Sequence, residues 1–340
     1  MTDIASPQPR LSSNPWSLYQ AEHLVGLASR GTSEGFYDRM LRDDLSNKRF
    51  AFEISFVPDR LEGARASELL FALLNDFNRS GYDRDPASIV CDLVVELLEE
   101  SSDGKALLVE LYSLPSEHNR VKRRARRQET TDEGGESLPS LGLIPNWSAK
   151  KTRTGFIQVS PADEQQTITI PKSRVHSLQL PRQSRISWTR AVKGLQLVDT
   201  AKPLLSGVDR LSWDGFSFPD VVATQNLAVA CSTAEIGWDG RGTFAESVTS
   251  PYMTFRRLRF TKFWIEALQE AVAFLNEFTT SESLYGENAF FFSLTGLPTA
   301  ADLNLAMHNI RSGKLTIDEA HNSYLYPKLS TRKSPSPQQD

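Results

Sequence analysis

The chain has 340 residues, of which 39% are hydrophobic and 24% charged, and its formal net charge is -4. This length and hydrophobic content are typical of one large folded domain or two, with a core of substantial size. The small net charge excludes a global electrostatic preference for nucleic acid or for an anionic membrane, so any such affinity has to come from local basic clusters.

The sequence predicts a cytoplasmic protein without a membrane segment. Residues 1–15 and 331–340 are polar, rich in Pro, Ser or Gln, and predicted to be disordered. The first sixteen residues hold no apolar h-region of a signal peptide, and no run approaches the ~18 apolar residues of a spanning helix. Cys91 and Cys231 are too few for a disulfide framework, and we expect both to be buried free thiols.

The segment 16–115 is predicted to be an N-terminal region of mixed helices and strands. Apolar residues recur at helical spacing in some stretches and alternate with polar ones in others. Pro86 follows Asp85 as expected at the first position of a helix behind its N-cap. The predicted helices cover 16–49, 64–78 and a segment that starts at Pro86, and the predicted strands cover 50–57 and 106–112.

Residues 116–150 interrupt this periodicity and are predicted to be an exposed charged loop or linker. Six of the eight residues from 120 to 127 are basic, namely Arg120, Lys122, Arg123, Arg124, Arg126 and Arg127. Such a run can neutralise the phosphates of nucleic acid. It can equally be a solvated loop whose charge is balanced by the acidic stretch at 132–136. The sequence leaves both interpretations open.

A central β-rich module is predicted over 151–181 and a mostly helical region over 182–330. The expected strands of the module are 154–159, 166–170 and 174–180. The expected helices are 188–205, 220–236, about 251–278, a short helix that opens after Thr299 and ends at Gly313, and a turn at which Thr316 and Glu319 fit a capping box. The fold class that follows is α+β, with one long C-terminal helix.

The long helix has two unusual features. It carries two apolar stripes, which predicts burial on most sides or an interface between subunits. Its start is basic and its end acidic, and cations at a helix start oppose the macrodipole by ~0.3–1 kcal/mol each. We therefore expect ion pairs within the chain or between subunits, or a contact with nucleic acid, for Arg256, Arg257, Arg259 and Lys262.

No motif of a catalytic or cofactor site is found in the sequence. The glycines at 237, 240 and 242 do not fit a nucleotide-binding fingerprint and predict a tight turn. The five histidines are scattered without metal-ligand spacing. We expect no enzymatic activity, no cofactor and no metal, and the sequence identifies no small-molecule ligand. The alternative is a site whose polar residues converge from distant positions, for example around Trp238, Asp239 and Arg241.

The order of segments resembles that of a bacteriophage portal protein of the long-tailed phage type. The resemblance is carried by DLVVELLEESSDGKALLVELY at 92–112, by IPKSRVHSL at 170–178 before a helix, and by GKLTIDEA at 313–320. It implies a structural protein that forms a ring of identical subunits in a virion, through which DNA is threaded. The arginines of the long helix or of the basic run would then face DNA or a neighbouring subunit. The competing hypotheses are a nucleic-acid-associated accessory protein that acts through the basic run, and an enzyme with an unrecognised site.

Overall fold

The computed structural model describes residues 36–47, 53–57, 63–77, 86–114, 138–144, 146, 149–153, 155–159, 167–200, 218–240 and 250–325. Within these ranges the fold is α+β, as the sequence predicts. The helices are α1 (Phe36–Asn47), α2 (Gly63–Leu73), α3 (Pro86–Ser101), α4 (Arg182–Thr200), α5 (Phe218–Ser232), α6 (Ser250–Thr279), α7 (Glu282–Tyr285), α8 (Ala300–Arg311) and α9 (Ile317–Ala320). The strands are β1 (Glu53–Val57), β2 (Leu107–Leu114), β3 (Leu138–Ile144), β4 (Ala149–Lys151), β5 (Gly155–Val159), β6 (Thr167–Pro171), β7 (Val175–Leu178) and β8 (Phe291–Thr295).

The chain folds into two compact units, each built from separate stretches of sequence. The described residues of the first unit lie within Ile54–Thr189 and Ala267–Ser293, and those of the second within Gly35–Glu53, Arg190–Glu266 and Leu294–Asp340. This division differs from the consecutive regions expected from the sequence. The predicted disordered ends, 1–15 and 331–340, lie outside the described residues.

The core of the first unit is a three-stranded sheet with helices packed on it. Its strand order is β3-β2-β7, and both pairings are antiparallel. The sheet side chains Leu107, Val109 and Leu141 are fully buried. Trp188 of α4 is also buried, and its indole Nε1 donates a hydrogen bond of 2.7 Å to the carbonyl of Leu98 near the end of α3. A second antiparallel sheet, of order β4-β5-β6, forms most of the predicted β-rich module.

Three strands lie where the sequence predicted none, and one of them is β4, at the boundary between the predicted charged loop and the predicted β-rich module. β3 falls inside the predicted charged loop, because Pro139, Ser140 and Gly142 depress its strand signal, and pairing with buried β2 stabilises it instead. β8 falls inside the predicted helical region. Asn276 of α6 holds it through both amide atoms: Nδ2 donates to the Phe292 carbonyl at 2.8 Å, and Oδ1 accepts from the Phe292 backbone N–H at 3.0 Å.

The two apolar stripes of α6 are explained by packing inside the chain. In the second unit, Leu258 and Ile265 form a cluster with Leu303 and Met307 of α8 and with Ala320 of α9. In the first unit, the stripe residues Phe274 and Phe278 are buried and their rings meet edge to face. None of the described helices is both long and apolar enough to cross a membrane.

The two cysteines differ from the expected buried thiols. Cys231 lies on the exposed face of α5, and Cys91 on α3 is only partly buried. An apolar sequence neighbourhood did not decide their burial, because successive helical residues point in different directions and only one stripe meets the core.

The surroundings of His176 in β7 disfavour its protonation in the first unit. Its ring packs edge to face on Phe278 with centroids 4.8 Å apart, and its buried Nε2 has no hydrogen-bond partner among the described residues. Burial lowers the pKa of the imidazole below its ordinary value of 6.5, and the charge of Glu277 offsets part of this effect. As the pH falls, the unfolded chain therefore binds a proton at His176 at a higher pH than the folded chain does.

We predict that His176 makes the protein less stable as the pH falls through about 6.5 towards the lowered folded-state pKa, and that its contribution is fully present above about 6.5. One proton limits this effect to about 1.4 kcal/mol per pH unit. Urea unfolding between about pH 7.5 and pH 5 measures it in the wild type and in His176→Gln, with exposed His308→Gln as the control. His176→Gln should lose less stability on acidification than both other proteins. An unchanged dependence in His176→Gln would show that this ring is not the sensor.

Candidate nucleic-acid interface

The buried end of α5 explains why the start of α6 is basic. Arg256 is 1% exposed, and its guanidinium donates to the carbonyls of Ala230 and Trp238 and to the hydroxyl of Thr233, at 2.6–3.0 Å. Arg259 donates to the carbonyl of Ala234. Ala230 lies in the last turn of α5 and the other acceptors follow the helix, so cations of α6 donate to the last turn of α5 and to the residues after it. Positive charge is favourable at that end of a helix.

A close backbone approach supports this arrangement. Gly237 has φ +81°, and a Cβ atom there would lie 2.4 Å from the carbonyl oxygen of Arg256 and 2.7 Å from the Cβ of Arg259. Only glycine meets both conditions without strain. The predicted tight turn therefore allows α6 to approach the residues that follow α5.

Further contacts in the second unit involve residues that the sequence singled out. Arg257 forms an ion pair of 2.8 Å with Asp239, and Lys262 one of 2.7 Å with Glu266 one turn later on α6. The indole of buried Trp238 donates to Asp44 at 2.8 Å. Ion pairs within the chain were one of the expected outcomes for these cations.

Arg256 requires a correction, because its guanidinium is enclosed by this chain and is not available to nucleic acid or to another subunit. Arg257 and Lys262 have partners inside the chain and remain partly accessible. Of the polar residues proposed for a hidden enzyme site, Trp238 and Asp239 serve the contacts just described, and Arg241 lies outside the described residues.

Among the predicted site residues, Arg259 lies beside an aromatic ring that a second arginine also contacts. Its guanidinium carbon lies 5.2 Å from the centroid of the Phe255 ring, and that of Arg311 lies 5.0 Å from the same centroid. Phe255 and Ile310 both pack on the apolar cluster between α6 and α8, which brings the end of α8 beside the start of α6. Arg311 is exposed. The result is a surface on which two guanidinium groups share one aromatic ring.

Arg311 and Phe255 were not among the residues that the sequence singled out. Arg311 is separated from Arg259 by more than fifty residues, and only the packing of α8 on α6 joins them. A usable signal was the basic last turn of α8, which ends in His308 and Arg311, just before the predicted glycine stop.

The basic run 120–127 lies outside the described residues, but the strands that precede and follow it are described. β2 and β3 pair along their length, and their last pair is Leu114 with Leu138. The segment 115–137 is therefore inserted between two paired strands of the first unit, with its ends side by side. The buried sheet residues Leu111 and Leu141 anchor this attachment point.

A cavity of about 410 Å³ lies in the first unit. Its lining is mixed, with Arg65, Leu69, Leu138, Leu284, Tyr285, Gly286, Glu287 and Asn288. Arg65 is already paired with Glu68 at 3.2 Å. Glu287 and Tyr285 are lining groups that can exchange a proton, and burial raises the pKa of the Tyr285 phenol. In the described part of the chain, no group of three His, Cys, Asp or Glu side chains is placed to hold a metal ion.

Comparison with known proteins gives no match to a family model, to a curated protein or to a solved structure. The portal-like resemblance thus stays a prediction from the sequence segments 92–112, 170–178 and 313–320.

We predict that Arg256→Met destabilises the protein by about 2–4 kcal/mol, because the substitution leaves several buried acceptors unpaired. Arg256→Lys should also destabilise it, since one ammonium group cannot reach acceptors spread around a planar guanidinium. The matched control is Arg257→Met, which removes a partly exposed ion pair and should cost less than about 1 kcal/mol. Urea unfolding measures all three, and equal costs at positions 256 and 257 would contradict the structural role of Arg256.

Proposed function

We propose that this chain is a non-catalytic assembly protein that contacts nucleic acid through its basic segment 120–127. The observation that carries the proposal is the pairing of Leu114 with Leu138, which inserts the segment between two strands of a buried sheet. A flexible charged tail loses conformational entropy at its point of attachment when it binds. A segment whose two ends leave paired strands has fixed points of attachment before binding, so this entropic cost is smaller.

The charges of the segment match a phosphate backbone better than a small ligand. Six basic residues within eight positions present several cations along one stretch of chain. Each phosphate that they neutralise releases condensed counterions, which makes binding strong at low salt and weak at high salt. Because arginine donates in a planar fork, it suits phosphate oxygens better than a point charge does.

We also propose that the assembly is a ring of identical subunits of the portal type, in a phage or prophage particle. The support is the resemblance at 92–112, 170–178 and 313–320, together with exposed leucines on three helices of the second unit. Leu197 on α4 is 68% exposed, Leu227 on α5 58% and Leu305 on α8 57%. A subunit interface would remove such side chains from water. At the start of α6, Arg256 is committed to contacts within the chain and is not part of the proposed interface.

For the basic segment, we predict that replacing Arg123, Arg124 and Arg126 by Gln weakens binding to a fluorescein-labelled single-stranded oligonucleotide by about tenfold or more at low salt. The slope of log affinity against log salt should decrease by about 0.7 for each phosphate that the variant no longer neutralises. Fluorescence anisotropy at several salt concentrations gives both quantities.

The control for this experiment removes the same charge from another place in the first unit. Lys150, Lys151 and Arg153 are exposed, and their triple Gln variant should bind nearly as the wild type does. Equal weakening in both variants would mean that only net charge matters, and no weakening in the segment variant would refute the proposed contact.

For the ring, we predict a particle mass that is a large multiple of one chain, measured by multi-angle light scattering at low and at high salt. A ring held by apolar contacts should persist at high salt, because salt screens ion pairs and leaves hydrophobic burial intact. A monomer at every concentration would refute the ring and would leave the contact with nucleic acid to be judged by the binding experiment alone.

A further inference from the structure

We infer that Arg259 and Arg311, held beside the ring of Phe255, form a phosphate-binding site in the second unit. The site is separate from the basic segment 120–127, and it does not require that segment to bind nucleic acid.

The two guanidinium groups are positioned by elements of the same unit. Arg259 is fixed by its hydrogen bond to the Ala234 carbonyl at the end of α5 and by its contact with Phe255. Arg311 is the last residue of α8, and the packing of Ile310 and Phe255 on one apolar cluster holds that end of the helix in place. A guanidinium that lies on an aromatic ring loses less freedom when it binds an anion, because the ring already limits its orientation.

Within the described ranges, acids offset the charge at this surface only in part. Among the residues that the structure describes, neither Arg259 nor Arg311 has a carboxylate at ion-pair distance, and the nearby Glu235 is paired with Arg190 at 2.8 Å. Burial lowers the pKa of Arg259, and the positive charges of Arg311 and Arg256 lower it further, while Tyr252 and Glu235 act in the opposite direction. Arg259 nevertheless stays protonated at neutral pH, since arginine titrates far above it. Two guanidinium groups thus lie beside one ring, with buried Arg256 nearby, and an anion between them would offset their repulsion.

A phosphate group suits this site by charge and by shape. Two guanidinium groups offer several N–H donors that match the oxygens of a phosphate in paired hydrogen bonds. Tyr252, which is 41% exposed and whose ring lies 5.8 Å from the Arg256 guanidinium carbon, adds an aromatic surface at the edge of the site. The phosphate could belong to a free phosphate compound or to a nucleic-acid backbone, and the two sources are separable by experiment.

The test uses the full chain and two probes, inorganic pyrophosphate by calorimetry and a labelled oligothymidylate by anisotropy. Arg311→Gln is the variant of choice, because Arg311 is exposed and the Gln side chain should not disturb the fold. Lys193→Gln is the matched control: it removes one exposed cation from α4 in the same unit. The oligonucleotide arm is run in the background of the Arg123, Arg124 and Arg126 triple Gln variant, so that the basic segment does not mask the site.

We expect Arg311→Gln to weaken binding by about tenfold or more, as for the loss of a charged hydrogen-bonding group, and Lys193→Gln to leave it unchanged. Weakened pyrophosphate binding would identify a free phosphate compound as the ligand class, and weakened binding of oligothymidylate alone would identify a nucleic-acid backbone. If neither probe binds, or if Arg311→Gln binds both as its parent does, the inference is overturned. In that event the proposed function still stands, provided that the segment variant binds the oligonucleotide more weakly than the wild type.

Discussion

The second unit depends on the contact between the guanidinium of Arg256 and the carbonyl end of α5. A buried cation is unfavourable unless its donors are satisfied. Here Arg256 donates to the Ala230 carbonyl in the last turn of α5 and to the Thr233 hydroxyl just beyond that helix, near the end where a helix dipole attracts positive charge. The sequence of α6 is thus explained by α5, and Gly237 permits the approach because a side chain there would collide with the backbone of Arg256. A buried cation whose donors reach several acceptors also fixes the direction in which α6 leaves this contact.

This contact separates cations that build the fold from cations that are left for a ligand. Arg256 is enclosed, and Arg257 and Lys262 have carboxylate partners in the chain. Arg259 serves both purposes, since it donates to the Ala234 carbonyl and also contributes to the surface that it shares with Arg311. Consecutive basic residues on one helix therefore have unequal roles. A charge count along the sequence cannot separate those roles, because they depend on which face of α6 meets α5 and which meets α8.

The elements with strong local signals were predictable from the sequence. Helices α3, α6 and α8, strand β2 and the capping box of Thr316 with Glu319 follow from apolar periodicity and capping residues, and each lies close to its expected position. β3 and β8 were missed because their stability comes from partners: β3 pairs with β2, and β8 pairs with β1 and is bonded by the Asn276 amide. The proximity of Arg259 and Arg311 was missed for the same reason, because the two residues come together only when α8 packs on α6. Local pattern therefore predicted elements, whereas long-range packing decided the candidate site.

The overall charge of the chain bears on how these cations would act. With a net charge of -4, the protein as a whole repels a polyanion weakly, so attraction is confined to places where cations are concentrated. Concentrated cations on a mildly acidic protein orient an incoming phosphate backbone, because every other approach is less favourable. We propose two such places on separate observations: the segment 115–137, which connects β2 and β3, and the surface around Phe255. The assembly role that we propose would need only this uneven distribution of charge, whereas catalysis would need convergent acids, bases or nucleophiles.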